Sequence, residues 1–350
     1  MNQNIMKTAK TKNVEMGRWL MVFFSVVICH LTLSEAHAAS PYDNPDTIVV
    51  ARDGTGQFRN IADAIEVCRA FMDYHKVIFV KCGIYKEKII VPSWLQHIEI
   101  LGEDRDRTII TWDDHANIEA DISPLTANHT VQKIGTFRTY TVKIEGNDIS
   151  FKNITIENNA ARLGQAVALH TEGDRLLFVN CRFLGNQDTI YTGVANTRLL
   201  FNGCYIEGTT DFIFGPSTAW FEQCQIFCKA NSYITAASTP SAVKYGYVFN
   251  RCDISCAPDV EKVYLGRPWR DYGYTLFMHC TLPRQIRPEG WHHWKKEREQ
   301  TARYLEFENT GEGASTTKRA VWSKQLTKKE AKEITMENVF RNNDVWNPVF

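Results

Sequence analysis

A repeated six-residue pattern constrains the fold of this chain more than any other feature. The pattern is Phe-x-x-(Ile or Cys)-x-apolar, and it begins at Phe151, Phe178, Phe201, Phe221, Phe249 and Phe277. Successive starts are 27, 23, 20, 28 and 28 residues apart, which is a period typical of solenoids. The repeats are rich in residues that favour strands, and Gly and Asn stand at their corners. The sequence therefore predicts a β-solenoid whose coils are short strands joined by turns.

Each hexad must bend if all of its apolar residues are to reach one core. The fourth and sixth residues share a face because side chains alternate along a strand. The Phe at the first position lies three residues before the fourth, so a straight strand would point it to the opposite face. We therefore predict a bend between the first and fourth positions of every hexad, where the coil turns a corner.

The fourth hexad position holds either Ile or Cys. Ile154 occupies it once, and the other five hexads have Cys181, Cys204, Cys224, Cys252 and Cys280. A position that accepts both residues is apolar, so these thiols are predicted to be buried small hydrophobes. The spacing of Cys224/Cys228 and of Cys252/Cys256 also suits metal binding, but no His accompanies these pairs. We therefore expect no metal site.

Two aspartates occupy equivalent positions in successive repeats. Asp188 lies seven residues after Cys181, and Asp211 lies seven residues after Cys204. Neighbouring strands are about 4.8 Å apart, so stacked coils would bring the two carboxylates close together. Like charges raise the pKa of one member, which leaves one carboxylate as a base or nucleophile and the other as an acid. A turn role is the alternative for either aspartate alone.

The N-terminal residues 1–38 have the pattern of a signal peptide. Four basic residues precede an apolar run at 19–33, and Ala36-His37-Ala38 fits the small-x-small cleavage pattern. The apolar run is too short for a membrane span. We therefore predict a secreted or periplasmic protein that has no membrane association after cleavage.

The rest of the chain is close to electrical neutrality. Without residues 1–38 it has 36 basic and 38 acidic residues, which argues against nucleic acid as the main partner. Its length suits one large core. We predict a linker at 39–46, a β-helix catalytic domain at 47–295 and a C-terminal tail at 296–350 that packs on it. Nothing in the pattern calls for more than a monomer.

Helical segments are predicted near both ends. Asn60 can cap a helix over Ile61–Met72 whose Ile61, Ala64, Ile65 and Cys68 share one face and cover the open end of the solenoid. Thr327 and Glu330 form a capping box for a helix over Thr327–Phe340 that lies back over the solenoid.

The segment Thr111–Thr136 has no clear periodicity. It is predicted to be an excursion from a coil. Excursions on one flank of a solenoid commonly build the wall of a substrate groove.

Four motifs resemble the signature segments of pectin methylesterases. They are GQAVAL at 164–169, GNQDTIY at 185–191, DFIFG at 211–215 and YLGRPW at 264–269. The segments DGTGQFRNIADAI and GIYKEKI are similar as well, so the resemblance covers about 47–294. Four motifs in this order are specific, whereas one alone would be weak. The resemblance implies an all-β, right-handed, single-stranded parallel β-helix, and the lack of an intervening inhibitory pro-region is similar to bacterial members.

The resemblance also implies catalytic roles. Asp211 would be the nucleophile, and Asp188 would be the general acid and then the general base. Gln165 and Gln187 would donate hydrogen bonds to the developing oxyanion, which suits the charge that forms in acyl transfer. Arg267 would hold Asp211 ionised and oriented, because a guanidinium can contact both carboxylate oxygens.

Several residues are expected to contact substrate in addition to Gln165 and Arg267. Trp269 would form part of the sugar-binding floor, and Thr136 matches a substrate-contacting Thr of the family. Tyr191 and Phe214 offer aromatic faces, although each could equally pack in the core. One departure from the family pattern is His170, which stands where the family usually has Arg and which we expect at the rim of the groove.

The implied activity is removal of methyl esters from galacturonosyl residues of pectin, that is, of methyl-esterified homogalacturonan, without metal or organic cofactor. Three alternatives are considered. A polygalacturonase also uses paired aspartates, but this sequence lacks the grouped acidic motif of those enzymes. A pectate lyase needs an acidic calcium site, and none is apparent. A non-enzymatic carbohydrate-binding or adhesin β-helix would not explain the matched aspartates together with Gly-Arg-Pro-Trp.

Overall fold

A computed structural model describes residues 47–120, 132–342, 344 and 346–348 of the chain. The predicted signal peptide at 1–38, the predicted linker at 39–46 and the middle of the predicted excursion, 121–131, lie outside these described residues. Within the described ranges, no helix combines the length and the apolar character needed to cross a membrane.

The described strands form three sheets in which all neighbours are parallel. The first sheet contains β1 (Ile48–Val50), β2 (Lys76–Val80), β5 (Gln96–Gly102), β8 (Asn147–Lys152), β11 (Leu176–Val179), β14 (Arg198–Asn202), β17 (Thr218–Glu222), β20 (Tyr247–Asn250), β23 (Tyr274–Met278), β24 (Arg303–Phe307) and β25 (Lys324–Gln325). The second contains β4 (Ile89–Val91), β7 (Val142–Ile144), β10 (Leu169–Thr171), β13 (Ile190–Thr192), β16 (Ile213–Gly215), β19 (Tyr233–Ala237) and β22 (Tyr264–Gly266). The third contains β3 (Gly83–Lys86), β6 (Thr108–Trp112), β9 (Thr155–Asn158), β12 (Arg182–Leu184), β15 (Tyr205–Gly208), β18 (Gln225–Cys228) and β21 (Asp253–Cys256).

The chain visits the three sheets in rotation. A typical coil runs from β11 in the first sheet to β12 in the third and β13 in the second, and β14 then begins the next coil. Each strand inside a sheet consequently pairs with the strand one coil before and one coil after it, and the strands at the ends of a sheet pair on one side. The predicted parallel β-helix is confirmed.

The six hexad phenylalanines form one continuous stack inside the β-helix. Phe178 pairs in register with Phe151 and with Phe201, and the same register continues through Phe221, Phe249 and Phe277. All six side chains are fully buried. Neighbouring ring centroids are 4.3 to 6.0 Å apart, and such ring pairs add roughly 0.5–1.5 kcal/mol each beyond the burial of their area.

The predicted bend within each hexad is confirmed at its third residue. That residue has a left-handed backbone in all six repeats, with φ of 52° at Asn153, 50° at Asn180, 60° at Gly203, 52° at Gln223, 55° at Arg251 and 54° at His279. Gly and Asn adopt this conformation readily. For Gln, Arg and His it carries a cost, which the stacking of the neighbouring coils must offset.

The hexad cysteines are buried as predicted. Cys181, Cys204, Cys224, Cys252 and Cys280 are at most 1% exposed, and every described cysteine is a free thiol. Each of the five thiols lies within hydrogen-bonding distance of the carbonyl oxygen of the Phe that begins the preceding hexad, at 3.3 to 3.5 Å. Burial raises the pKa of the Cys252 and Cys280 thiols, so neither is a ready nucleophile.

The N-terminal helix is shorter than the sequence suggested. It spans Ile61–Glu66 with Val67 as its C-cap, so the predicted end at Met72 is wrong. The N–H of Cys68 bonds to the carbonyl of Ile65, three residues back, and its thiol takes the carbonyl of Ala64 that a continuing helix would use. The predicted apolar face is buried in the core. Asn60 is the N-cap, but its side chain does not cap the helix. The Glu87 carboxylate accepts the first two helical N–H groups instead, at 3.2 and 3.0 Å, and it complements the positive end of the helix dipole.

The C-terminal segment forms two short helices where one was predicted. They span Lys328–Lys332 and Met336–Phe340, and the first begins with the predicted capping box. Thr335 divides them because its side chain accepts the N–H of Asn338 at 3.2 Å. Four residues of these helices and the turn between them are buried in a cluster with Leu200, Trp220 and Val248 of the first sheet; they are Ala331, Ile334, Val339 and Phe340. The first sheet also continues past residue 295 through β24 and β25.

The buried stack predicts how the thiols react. In the native protein, a small thiol reagent should modify partly exposed Cys82 while leaving Cys181 and Cys252 unmodified, and all three should react after denaturation. Mass mapping of the labelled peptides measures this pattern, with Cys82 as the internal control. Labelling of Cys181 or Cys252 as fast as that of Cys82 in the native protein would contradict the inward stack.

Candidate active site

Asp188 and Asp211 lie at the same corner of adjacent coils. Each stands two residues before a strand residue of the second sheet, and those residues, Ile190 and Ile213, pair in register. The N–H of Asp188 bonds to the carbonyl of Thr210 at 3.1 Å, and the N–H of Asp211 bonds to that of Tyr233 at 2.8 Å. The matched sequence offset thus corresponds to a stacked pair of aspartates.

Both aspartates have a left-handed backbone. Their φ angles are 67° for Asp188 and 49° for Asp211, a conformation that Asp and Asn tolerate better than most residues. Gly208 makes room for this corner, because a Cβ added there would lie 2.2 Å from the Cβ of Phe212. The corner is therefore built from residue types that permit tight turns, and strain of this kind is common at functional sites.

A cavity of about 360 Å³ opens beside the pair. It is lined by Thr136, Phe137, Gln165, Gln187, Asp188, Asp211, Phe214, Ala236, Arg267, Trp269 and Trp294. Eight of these eleven residues were candidates from the sequence. The ninth candidate, Tyr191, does not line the cavity, but its ring centroid lies 4.8 Å from that of Phe137 and 4.7 Å from that of Phe214.

The sequence interpretation missed three residues of the cavity. Trp294 ends the aromatic-rich segment PEGWHHW at 288–294, and Phe137 directly follows the candidate Thr136. Both aromatic side chains were visible signals. Ala236 gave none, because only the register that pairs it with Phe214 brings it into the cavity.

Arg267 grips Asp211 with a two-pronged contact. Its Nε donates to Oδ1 at 3.0 Å and its Nη2 donates to Oδ2 at 2.6 Å. The guanidinium is held between the rings of Tyr233 and Trp294, each with its centroid 3.9 Å from the guanidinium carbon. Stacking on both faces fixes the plane of the guanidinium and hence the plane of the carboxylate.

The two carboxyl groups experience different environments. Burial raises the pKa of Asp211, and the hydrogen bonds and charge of Arg267 oppose this rise. Burial raises the pKa of Asp188 well above its usual value, the charge of Asp211 raises it further, and Arg267 opposes it by its charge alone. A single shared proton is therefore favoured on Asp188, which leaves Asp211 ionised.

Gln165 and Gln187 lie on neighbouring coils beside the pair. The N–H of Ala166 bonds to the carbonyl of Gln187 at 3.0 Å, so the two residues are joined through the backbone. Both side chains line the cavity that also contains Asp211. Two amide donors in this position can face an oxyanion that forms next to the Asp211 carboxylate.

One wall of the cavity belongs to the predicted excursion, which leaves the β-helix after Trp112. The N–H of Ala116 bonds to the carbonyl of Gln165 at 2.8 Å. The buried side-chain amide of Asn158 lies 3.0 Å from the carbonyl oxygens of Asp114 and Thr139. These bonds tie both ends of the excursion to the β-helix and position the turn that begins at Thr136.

His170 is buried, so its predicted place at the rim is wrong. The side chain is only 4% exposed. The ring of Tyr191 lies 4.8 Å away on one side, and the ring of Tyr140, which reaches over from another coil, lies at 6.1 Å. Burial lowers the pKa of His170 to about 4, so the imidazole is neutral near pH 7.

Comparisons with known proteins identify related sequences and structures. The family model described as Pectinesterase matches residues 47–343. Pectinesterase 31 of Arabidopsis thaliana is 38% identical over 289 residues, which cover 81% of this chain and 88% of that protein. The chain spans about half the length of several other relatives, which are named as pectinesterase/pectinesterase inhibitors.

Solved structures share the fold. The pectin methylesterase from carrot matches with a TM-score of 0.75 and 31% identity, over 84% of this chain and 92% of that one. A pectin methylesterase mutant in complex with a hexasaccharide matches with a TM-score of 0.73 and 27% identity, over 86% of this chain and 98% of that one. By its family match and its identity to these relatives, the chain belongs to the pectinesterase family.

Proposed function

We propose that this protein removes the methyl groups of methyl-esterified galacturonosyl residues in pectin, which releases methanol and leaves free carboxylates. The observation that carries the proposal is the asymmetric pair of carboxyl groups. Arg267 makes a bidentate contact with Asp211 and makes no such contact with Asp188. Membership of the pectinesterase family supports the same activity.

Asp211 is the nucleophile in this proposal. A carboxylate attacks an ester poorly unless it is kept ionised and aimed, and the contact with Arg267 provides both conditions. One oxygen of Asp211 bonds to the ester carbon, and the carbonyl electrons move onto the carbonyl oxygen. Gln165 and Gln187 donate hydrogen bonds to that oxyanion, and removal of one such donor typically costs about 3 kcal/mol of barrier.

Asp188 moves the protons. When the tetrahedral intermediate collapses, the carbon–oxygen bond to the methoxy group breaks, and Asp188 gives its proton to the departing methanol. The product is an anhydride between Asp211 and the uronate carbonyl. Asp188, now a carboxylate, takes a proton from water as this water attacks the same carbonyl carbon. Collapse of the second intermediate frees the Asp211 carboxylate and the uronic acid, which loses its proton to solvent as a uronate, and Asp188 is again protonated.

Aromatic side chains around the pair are proposed to bind the sugar chain. Trp269 and Phe214 meet edge to face with ring centroids 5.8 Å apart, and Tyr191 stacks on Phe214. Rings of this kind offer apolar faces to sugar rings, while Thr136 supplies a hydroxyl at the wall.

Export, the domain boundaries and the oligomeric state are also proposals. We infer export through residues 1–38, a linker at 39–46, a catalytic domain at 47–295 with a tail at 296–350, and action as a monomer. The nucleophile, the acid and base and the oxyanion donors in the steps above are all side chains. We therefore propose a reaction without metal or organic cofactor, and pectin rather than nucleic acid as the partner.

The activity predicts one product pattern. Highly methylated pectin incubated with the protein should release methanol without new reducing ends and without unsaturated products, because only the ester bond is attacked. Methanol, reducing ends and absorbance of unsaturated uronates are measured on the same samples. Reducing ends without methanol would indicate a glycosidase, unsaturated products a lyase, and an absence of all three a binding protein.

The roles of the two aspartates predict that Asp211→Asn and Asp188→Asn each lower methanol release at least about 100-fold. Asn suits the left-handed backbone and keeps the shape of the side chain, so both variants should remain folded. Initial rates of methanol release and thermal unfolding measure the two effects separately. Activity above a few per cent of wild type in Asp211→Asn would exclude it as the nucleophile.

Asp148 provides a matched control for these variants. It also has a left-handed backbone, with φ of 55°, and it is also gripped by an arginine, with both contacts to Arg175 at 2.6 Å. It does not line the cavity. Asp148→Asn should therefore keep wild-type activity per folded molecule.

Arg267 predicts a shift in the pH profile. Loss of its positive charge raises the pKa of Asp211 further, and because Asp211 must be ionised to attack, the acidic limb should move to higher pH. Arg267→Lys keeps the positive charge but cannot make the bidentate contact with the carboxylate, so its rate should lie between those of wild type and Arg267→Ala. Initial rates across the acidic range test this. An unmoved acidic limb in folded Arg267→Ala would mean that Arg267 does not tune the nucleophile.

A further inference from the structure

The outward face of the second sheet continues from the cavity toward the N-terminal coils. Phe214 pairs in register with Tyr191, Tyr191 with His170, and His170 with Lys143. The ring of Tyr191 lies 4.8 Å from that of the buried His170, and the ring of Tyr140 covers His170 at 6.1 Å. Since parallel strands are about 4.8 Å apart, Lys143 lies roughly 10 Å from Tyr191, close enough for a polymer held in the cavity to reach it.

A charged cluster occupies this end of the face. The Nζ atom of Lys143 is 2.7 Å from a carboxylate oxygen of Glu145 and 3.1 Å from one of Glu172. The three side chains are 18%, 28% and 36% exposed, so solvent and ligands can reach them. One ammonium between two carboxylates leaves an excess of one negative charge near neutral pH.

The residues around this charged cluster do not neutralise its excess negative charge. His170 lies beside Glu172, with Nε2 and a carboxylate oxygen 3.1 Å apart. The imidazole is neutral near pH 7 because burial lowers its pKa to about 4. Lys88 is already paired with Asp114, with a 2.6 Å contact. Ile90, which pairs in register with Lys143, adds a partly exposed apolar side chain.

We propose that Lys143, Glu145 and Glu172 form a subsite that favours a methyl-esterified uronate and disfavours a free uronate. This inference rests on the proposed function. The two forms of the sugar differ by one negative charge, so the excess negative charge repels the free carboxylate and leaves the neutral ester unaffected. The methyl group of the ester can contact Ile90.

The subsite therefore gives the protein a way to reject its own product. A stretch that is already demethylated binds less well across this face than a stretch that still has its esters. A repulsion of about 1 kcal/mol between like charges at a partly screened surface corresponds to about fivefold in affinity. A smaller fraction of the protein would then be bound to demethylated polymer.

The first test measures inhibition by demethylated polygalacturonate. Glu172→Gln and Glu145→Gln each remove the excess negative charge and should lower the inhibition constant of polygalacturonate about fivefold. Added salt should shrink the difference in inhibition constant. Unchanged inhibition constants in both variants would overturn the proposal.

Two further variants separate charge from structure. Lys143→Gln increases the excess negative charge, so it should raise the inhibition constant where the two Glu variants lower it. A merely structural role would not reverse sign. Glu99→Gln removes the carboxylate of a similar pair on the first sheet, 2.9 Å from Lys152, and it should leave the inhibition constant unchanged. A decrease in Glu99→Gln equal to that in Glu172→Gln would also overturn the proposal.

Binding to inactive protein distinguishes this inference from the proposed function. Asp211→Asn and the double variant Asp211→Asn with Glu172→Gln are titrated with highly methylated pectin and with polygalacturonate in a calorimeter. The double variant should bind polygalacturonate about fivefold more tightly and methylated pectin equally. Equal affinity of the two proteins for polygalacturonate overturns the subsite, whether or not the active protein releases methanol.

Discussion

The structure depends on one constraint, which is that each coil pairs in register with the next coil at the spacing of parallel strands, about 4.8 Å. Register places like on like: Phe178 on Phe201, and Ile190, which follows one aspartate of the pair, on Ile213, which follows the other. For apolar side chains this is favourable, because rings stack and exclude water. For carboxylates it is unfavourable, because two like charges share a buried corner. The stacking that builds the core is thus also what creates an unusual acidic pair.

The acidic pair is stabilised asymmetrically. Arg267 contacts both oxygens of Asp211, while it acts on Asp188 only through its charge. Burial of two carboxylates without such a partner would cost several kcal/mol. A proton on one aspartate and a guanidinium beside the other therefore give the lower free energy. The rings of Tyr233 and Trp294 hold the guanidinium in place. The proposed division of labour between nucleophile and acid follows from this asymmetry.

Features that repeat along the chain were predictable from the sequence, and features that depend on contacts between distant segments were not. The hexads and the matched offsets of Asp188 and Asp211 can be recognised because the sequence repeats with the period of the solenoid coils. Trp294 lines the cavity, and the ring of Tyr140 packs over His170. In both cases the residues come from different coils, and only the pairing of strands in the folded protein brings them together. The path of the chain after the N-terminal helix likewise depends on a bond from the N–H of Phe71 to the carbonyl of Trp94. A local pattern shows that an aromatic residue is present, but it does not show which distant segment that residue contacts.

The central claim is that the pair shares one proton, which resides on Asp188 while Asp211 is ionised. The most direct test is a pH titration of the protein with ¹³C-labelled aspartate carboxyl groups, with the two signals assigned by loss in Asp188→Asn and in Asp211→Asn. Because the two groups interact, the pair titrates in two macroscopic steps. The account predicts that the step at lower pH appears mainly on Asp211 and the step at higher pH mainly on Asp188. The reverse order, or one common step for both signals, would contradict it.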